Sequence, residues 1–289
     1  MREISTIIPA EKVNMGGNII DQPLPVSELE MHDPFLLIHH WKHELLGNRK
    51  QQDLGVGPHP HRGFSPVTII FDGAVHHRDS RGNDSVVQSG GTQWMNAGMG
   101  ITHSERPSKE LAENGGMFEF IQFWVNSPAN LKMKQPEYQA LDESKIPVFC
   151  SDDERASIQI IAGEQFGMKG PTKVDWPLLI LRLDLKKGGK ILLDIPSDFN
   201  ALFYNLDGNV TINSGKRVFM KDMAVFEKSE ETEILIEAND VTRAILLAGK
   251  PINEPVASYG PFVMNNETQL MQALRDAQMG KMGILIEEF

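Results

Sequence analysis

The sequence predicts an all-β protein of two related β-barrels with a short C-terminal helix. Three observations carry this reading. Short apolar or alternating segments ("SPVTIIFDG", "VVQSGGTQWM", "MFEFIQFWV", "SIQIIAGE", "LLILRLDL", "ALFYNLDG", "EILIEA") are divided by Gly, Asp, Asn and Pro. That is the pattern of strands and turns in a sandwich or barrel. Helical spacing with end signals occurs convincingly in one place. Finally, part of the first half recurs in the second. "HPHRGFSPVTIIFDGAV" aligns without a gap on "DIPSDFNALFYNLDGNV", setting Phe64 on Phe199, Asp72 on Asp207, Gly73 on Gly208 and Val75 on Val210.

A chain of 289 residues is long for one small core and suits two modest domains. The polar, Pro-containing stretch from Asn126 to Pro147 reads as their connection. The expected division is residues 1–135 for an N-terminal barrel and 136–289 for a second, C-terminal barrel. The helix belongs to "NNETQLMQALRDAQMG". Asn266 is its N-cap, with Gln269 three residues on as in a capping box. Leu270, Leu274 and Ala277, with Met271, form an apolar stripe that Gly280 ends.

Composition narrows the function. A net charge of −11 opposes affinity for phosphate backbones, so no direct nucleic-acid binding is expected. Arg49–Lys50 and Lys186–Lys187 are isolated basic pairs that read as solvated loops. No apolar run approaches the roughly 20 residues that cross a bilayer, and "MREISTIIPAEK" lacks a signal-peptide core. One cysteine, Cys150, excludes an internal disulfide framework and a multi-cysteine zinc site. The expected location is the cytoplasm.

Chemistry concentrates in two short segments. His59 and His61 stand one residue apart, ahead of an apolar run. In a strand, such a pair shares a face, about 6.6 Å apart at the backbone, and can converge on one ion. His103 and Glu105 repeat the spacing after a Gly-rich turn. If both segments line one barrel, three imidazoles and one carboxylate meet. That donor set suits one divalent Fe, Mn, Ni, Cu or Zn ion over Ca or Mg, and leaves coordination positions open. On the repeat, His59 falls on Asp194 and His61 on Pro196, so the second barrel lacks the site. His76 and His77 read as alternating across a strand with solvent exposure as the default. "LLIHHWKHELL" would place His39 and His43 on one helical face, but lacks H-E-x-x-H and a third ligand, so it gains no metal assignment.

The blocks "GPHPHRGF", "AGMGITHSERP", "IQFWVNSPANLKMKQPEYQ" and "PINEPVASYGPFVMNN" resemble, in order, those of the pirins, a branch of the cupin superfamily. The resemblance runs from about Asp33 to Gly283. It implies two cupin barrels (a bicupin) with iron in the first, held by His59, His61, His103 and Glu105. Pirins usually carry Glu where this chain has Ser65; with Glu105 as the carboxylate ligand, the resemblance implies that the Ser65 hydroxyl is at most in the second layer around the metal. Met99 replaces a polar or basic residue, and "LLIHHW" departs from the usual "LLLDHF".

Two functions follow as expectations. The first is an oxidoreductase similar to quercetin 2,3-dioxygenase (quercetinase), in which a flavonol-like aromatic enol and dioxygen meet at the metal and Glu105 accepts the enol proton. Phe120, Gln122 and Trp124 would line the pocket from one strand face, with Phe64 and Met99 near its mouth. The plainer reading of those aromatics is barrel core. The second function is a non-enzymatic, iron-dependent redox sensor that binds and regulates a partner protein, whose mark would be a basic patch from Arg62, Arg78, Arg81 and Arg106.

Overall fold

The structure, a computed structural model, describes residues 1–213 and 215–289. Two compact units emerge, each from two stretches of chain: Met1–Leu36 with Ser144–Pro251, and Leu37–Glu143 with Ile252–Phe289. This differs from the expected division at residue 135. The chain start supplies strand Ile4–Pro9, which pairs antiparallel with Asp222–Phe226 at the edge of the second barrel's sheet. The chain end supplies a helix and tail to the first barrel's unit. Among the described residues no helix is long and apolar enough to cross a membrane.

Strand signals in the sequence land on strands. "SPVTIIFDG" lies in Phe64–Asp72, "MFEFIQFWV" in Gly116–Asn126, "LLILRLDL" in Leu178–Leu185 and "ALFYNLDG" in Asn200–Asp207. In the first barrel, five strands of one sheet run in the order Glu137–Leu141, Thr92–Asn96, Phe64–Asp72, Gly116–Asn126, Phe35–Leu45. A second sheet has the order Val56–His61, Ile101–Pro107, Ala74–Asp79, Asp84–Gln88. The expected connection after Asn126 is thus partly first barrel, because Glu137–Leu141 pairs with Thr92–Asn96.

The repeat has a structural counterpart. Gly73 and Gly208 both have positive φ, at 79° and 73°, in the turn after the aligned strands. A Cβ at either would strike a backbone carbonyl oxygen, of Met117 and Val241 respectively. Glycine recurs because the turn admits nothing larger. The interiors diverge. The second barrel is filled by apolar side chains, among them Ile158, Leu181, Phe203 and Ile234. Beside them the buried guanidinium of Arg2 donates to the carbonyls of Glu227 (2.7 Å), Pro196 (3.3 Å) and Phe199. Pro196 and Phe199 align with His61 and Phe64, so an arginine plugs the strand end where the first barrel carries histidine.

Two sequence expectations need correction. "LLIHHWKHELL" forms strand Phe35–Leu45 instead of a helix, and His40 is buried against Glu119 at 3.0 Å. Alternation in the strand sends His39 and His40 to opposite faces, and His39 and His43, though on one face, stand about 13 Å apart along it, too far to share an ion. The C-terminal helix spans Glu267–Gln278, with the Asn266 side chain accepting from Gln269 N at 3.0 Å. Gln269 reaches back to Asn265 N, one residue earlier than the capping box requires. Leu270 and Ala273 are buried on its inner face, whereas Met271 is exposed.

Lys132 ties the first barrel together from the supposed connection. It is 1% exposed, and its ammonium donates to Gly63 O (2.6 Å), Asn126 Oδ1 (2.6 Å) and Val263 O (3.1 Å). All three of its N–H groups are used. Burial pushes its pKa down to about 8, against the opposing charge of Glu254, so it remains protonated at neutral pH. Lys132→Met should lower stability by about 3 kcal/mol, because three buried acceptors lose a charged donor. The sign with pH follows from linkage. The unfolded lysine binds more protons between about pH 8 and its ordinary value of 10.5, so this residue makes stability rise with pH across that window. Denaturant titrations at pH 7, 9 and 10 should show that slope in the parent and its loss in Lys132→Met.

Candidate metal centre

Strand Val56–His61 pairs antiparallel with Ile101–Pro107, and His103 stands directly opposite His59. His61 is two residues along on the face of His59, so the three rings meet. Their centroids lie 4.7 Å (His59–His61), 4.4 Å (His59–His103) and 4.9 Å (His61–His103) apart. One nitrogen from each falls within a group spanning 4.8 Å, the only such three-residue group of His, Cys, Asp or Glu among the described residues.

The opposite ring nitrogens explain why these point inward. His59 Nδ1 lies 2.8 Å from Gly57 O and His61 Nδ1 lies 3.2 Å from Pro261 O. His103 Nδ1 is 3.4 Å from His77 Nδ1, and His77 Nε2 is 3.0 Å from Asp79 Oδ2. The network assigns protons to each Nδ1 of the three, and to His77 Nε2, leaving Nε2 of each as a free lone pair. His103 Nε2 is buried without a hydrogen-bond partner. An orphaned buried acceptor costs about 1–3 kcal/mol, a cost that a metal bond would remove. Burial and the neighbouring imidazoles push His61 and His103 well below the ordinary imidazole pKa, so both are neutral, as ligation requires. The donor set fits a divalent transition metal.

Sequence reasoning missed His77. Expected at the surface, it is 1% exposed, stacked on Tyr138 at 3.9 Å and tied to Asp79. Bonds from His77, Asn83 and Arg81 outweigh burial and hold the Asp79 carboxyl below its usual range. A signal was present in "HHRD": Asp79 sits two residues after His77, hence on the same strand face.

Glu105 lies outside the group formed by the histidine nitrogens. Its carboxylate accepts from Gln93 Nε2 (2.5 Å) and Thr68 Oγ1 (3.2 Å) at Oε1, and from Gln122 Nε2 (2.7 Å) at Oε2. Those donors share one row: Gln122 pairs with Thr68, and Thr68 with Gln93, across three strands of the other sheet. A register shift between His103 and Glu105 accompanies this arrangement. Three donors leave a lone pair on Oε2 unspent.

Two cupin-type barrels, a histidine triad in the first and a plugged strand end in the second now stand beside the comparisons with known proteins. A family model described as Pirin matches residues 17–125, and one described as Pirin C-terminal cupin domain matches residues 180–283. The chain belongs to the pirin family. A pirin-like protein of Solanum lycopersicum is 34% identical over 92% of this chain and 88% of its own. A crystal structure titled as quercetin 2,3-dioxygenase from Acinetobacter baumannii is 35% identical, with a TM-score of 0.92 over 99% of this chain and 100% of that one. An Escherichia coli pirin crystallised with nickel(II) shares the fold at a TM-score of 0.64 and 22% identity, over 85% of this chain and 100% of that one.

The remaining predicted residues of this pirin separate into two groups. Trp124 and Phe64 border the triad: their rings lie 5.5 and 5.1 Å from His61 and 4.3 Å from each other. Gln122, on the same face, accepts from Trp124 Nε1 at 3.4 Å. Phe120 instead stacks on Trp41 and packs with Ile70, Val75 and Phe118, which is the plainer core reading. Met99 sits in a turn whose backbone is held by Arg62 and Lys134.

Ser65 is not in the second layer. The ladder runs regularly from Phe64 to Ile70, and Phe64 and Thr68 both face the site. Ser65 therefore points to the opposite face, where it is buried. Ser65→Glu should leave metal affinity unchanged and lower stability by about 2–4 kcal/mol, since it buries a carboxyl without a partner. Metal competition and thermal melting of the same preparation separate the two effects.

The arginine patch is not free either. Arg62 pairs with Asp276 at 3.0 Å, Arg78 with Asp84 at 3.2 Å, and Arg106 with Glu287 at 2.7 Å. Of the four arginines expected to form it, three are thus neutralised within the first barrel's unit.

Proposed function

We propose that this pirin is a metal-dependent dioxygenase acting on a flavonol-like aromatic enol, with one divalent ion, iron foremost, held by His59, His61 and His103. The observation that carries the reading is the convergence of three imidazoles, one with an orphaned Nε2, beside a carboxylate that keeps an unspent lone pair. The relative titled quercetin 2,3-dioxygenase, matched over nearly the whole chain, supports the substrate class. The ion would supply a positive centre that acidifies a bound enol hydroxyl, as it does for water.

The chain's own residues do the rest. Asp79 and His77 hold the His103 tautomer, which keeps its Nε2 aimed at the centre. Glu105 stands ready to take the enol proton at Oε2, with Gln93, Thr68 and Gln122 keeping that carboxylate in place. It is also the candidate fourth ligand, and variants at this position decide between the roles. Trp124 and Phe64 form an apolar wall beside His61 that excludes water and offers a stacking face to an aromatic ring. The redox-sensor reading loses its expected docking patch to the ion pairs of Arg62, Arg78 and Arg106.

The test is oxygen uptake by anaerobically purified protein of known metal content, with quercetin and with buffer alone. Uptake that follows quercetin and metal occupancy supports the reading. Protein holding one ion per chain that consumes no oxygen above buffer overturns it.

A further inference from the structure

The last residues of the chain form no strand or helix, yet they are fastened to strand Ile101–Pro107, which carries His103, and to the turn after strand Ala74–Asp79. Ser80 Oγ donates to Met282 O at 2.9 Å and Thr102 Oγ1 to Gly283 O at 2.9 Å. Beyond that anchor the tail alternates. Ile284 and Ile286 are 77% and 83% exposed, whereas the Glu287 side chain is only 6% exposed. Glu287 accepts from Arg106 Nε and a terminal guanidinium nitrogen, both at 2.7 Å, in a bidentate pair. Arg78 approaches the same carboxylate at 3.8 Å, and the Phe289 ring lies 5.2–5.3 Å from both guanidinium carbons.

Arg106 passes this contact inward. Its other terminal nitrogen donates to Gln52 O (2.8 Å) and Leu54 O (2.7 Å), the segment that leads into strand Val56–His61. A Cβ on Gly57 would lie 3.0 Å from the guanidinium, so that backbone runs against it. Gly57 O is the partner of His59 Nδ1. Arg106 also follows Glu105, at the place where the ladder register shifts. There the ladder register slips, and side-chain bonds from Arg106 hold the segment just before strand Val56–His61.

We propose that Glu287 is a positioning residue for the metal centre, and that docking of the C-terminal tail and binding of the ion favour one another. This rests on the metal-centre reading above. An exposed tail with two outward isoleucines has little apolar burial to hold it beyond the anchor, so the buried Glu287–Arg106 pair decides whether it docks. Released, Arg106 loses the partner that orients it, and the Gln52–Gly57 segment loses its clamp. Reciprocity then requires that the ion steady the tail by the same factor.

The experiment uses the full chain and Ni(II) alone as probe. Affinity is measured by competition with a chromogenic chelator, well below the melting temperature, and tail protection by hydrogen exchange of residues 282–289. Glu287→Gln is expected to weaken Ni(II) binding about tenfold and Glu287→Arg more, because changes around ligands typically cost about 10–100-fold. Glu287→Asp, which keeps the charge, should recover most of the affinity. A purely structural tail would lower the melting temperature in all three without moving Ni(II) affinity. In the parent, Ni(II) should slow exchange of the tail. Unchanged affinity in Glu287→Arg, or unchanged tail exchange at full Ni(II) occupancy, overturns the proposal. Stoichiometric Ni(II) on His61→Ala would instead overturn the metal-centre reading itself.

Discussion

His103→Ala is expected to leave the protein folded and nearly free of metal after dialysis, while the parent retains about one ion per chain. His103 lies at 4.4 and 4.9 Å from the other two rings. Its Nδ1 faces His77 and its Nε2 faces no protein partner, so only an ion satisfies it. Deleting it leaves two imidazoles, and the loss should exceed the roughly 10–100-fold cost of outer changes by at least another tenfold. Asp79→Asn gives the comparison. It keeps the ligands but unsettles the proton order through His77, and should fall within that outer range. Metal analysis after dialysis, with a chelator titration, reads both variants. An His103→Ala protein that keeps equimolar metal would mean the ion sits elsewhere. A fragment of residues 150–289 is a poor control for the empty second barrel, because that unit needs strand Ile4–Pro9 and the buried Arg2.

Most of the fold was legible because its signals are local. Asp-Gly turns, alternating strands and the repeat centred on Phe64 and Phe199 depend on neighbours in sequence, and each has a counterpart in the structure. The histidine triad was legible for the same reason, since i and i+2 spacing fixes a strand face. What escaped depends on distant parts of the chain. Nothing near Met1 reveals that Arg2 will fill a strand end of the second barrel. Ser65 looked close to the metal because pirins usually carry Glu at that position, but one step along a strand from Phe64 reverses the side chain. Glu105 shares its spacing with the histidines, but its orientation is set by Gln93, Thr68 and Gln122 on the other sheet, which sequence spacing does not register. The arginines formed a patch in sequence, and their acidic partners Asp276 and Glu287 come from the far end of the chain.

Glu105→Gln should therefore separate two roles that spacing alone had merged. Were Glu105 the fourth ligand, removing its charge would leave three neutral imidazoles and sharply weaken binding. Its carboxylate falls outside the group formed by the histidine nitrogens and accepts from three donors. The expected result is metal affinity within about tenfold of the parent, as for a change outside the ligand set. Turnover should fall much further, by about 10²–10⁴, the usual worth of a positioned proton acceptor. An amide cannot take the enol proton at Oε2, and its NH₂ would confront the donating amides of Gln93 or Gln122. Glu105→Asp tests the positional part: it keeps the charge but shortens the reach to those donors, so it should retain metal and recover only part of the rate. Both variants are read by chelator competition and by oxygen uptake at saturating metal. Loss of metal from Glu105→Gln matching that from His103→Ala would make the carboxylate a ligand, and the proton would then need another acceptor.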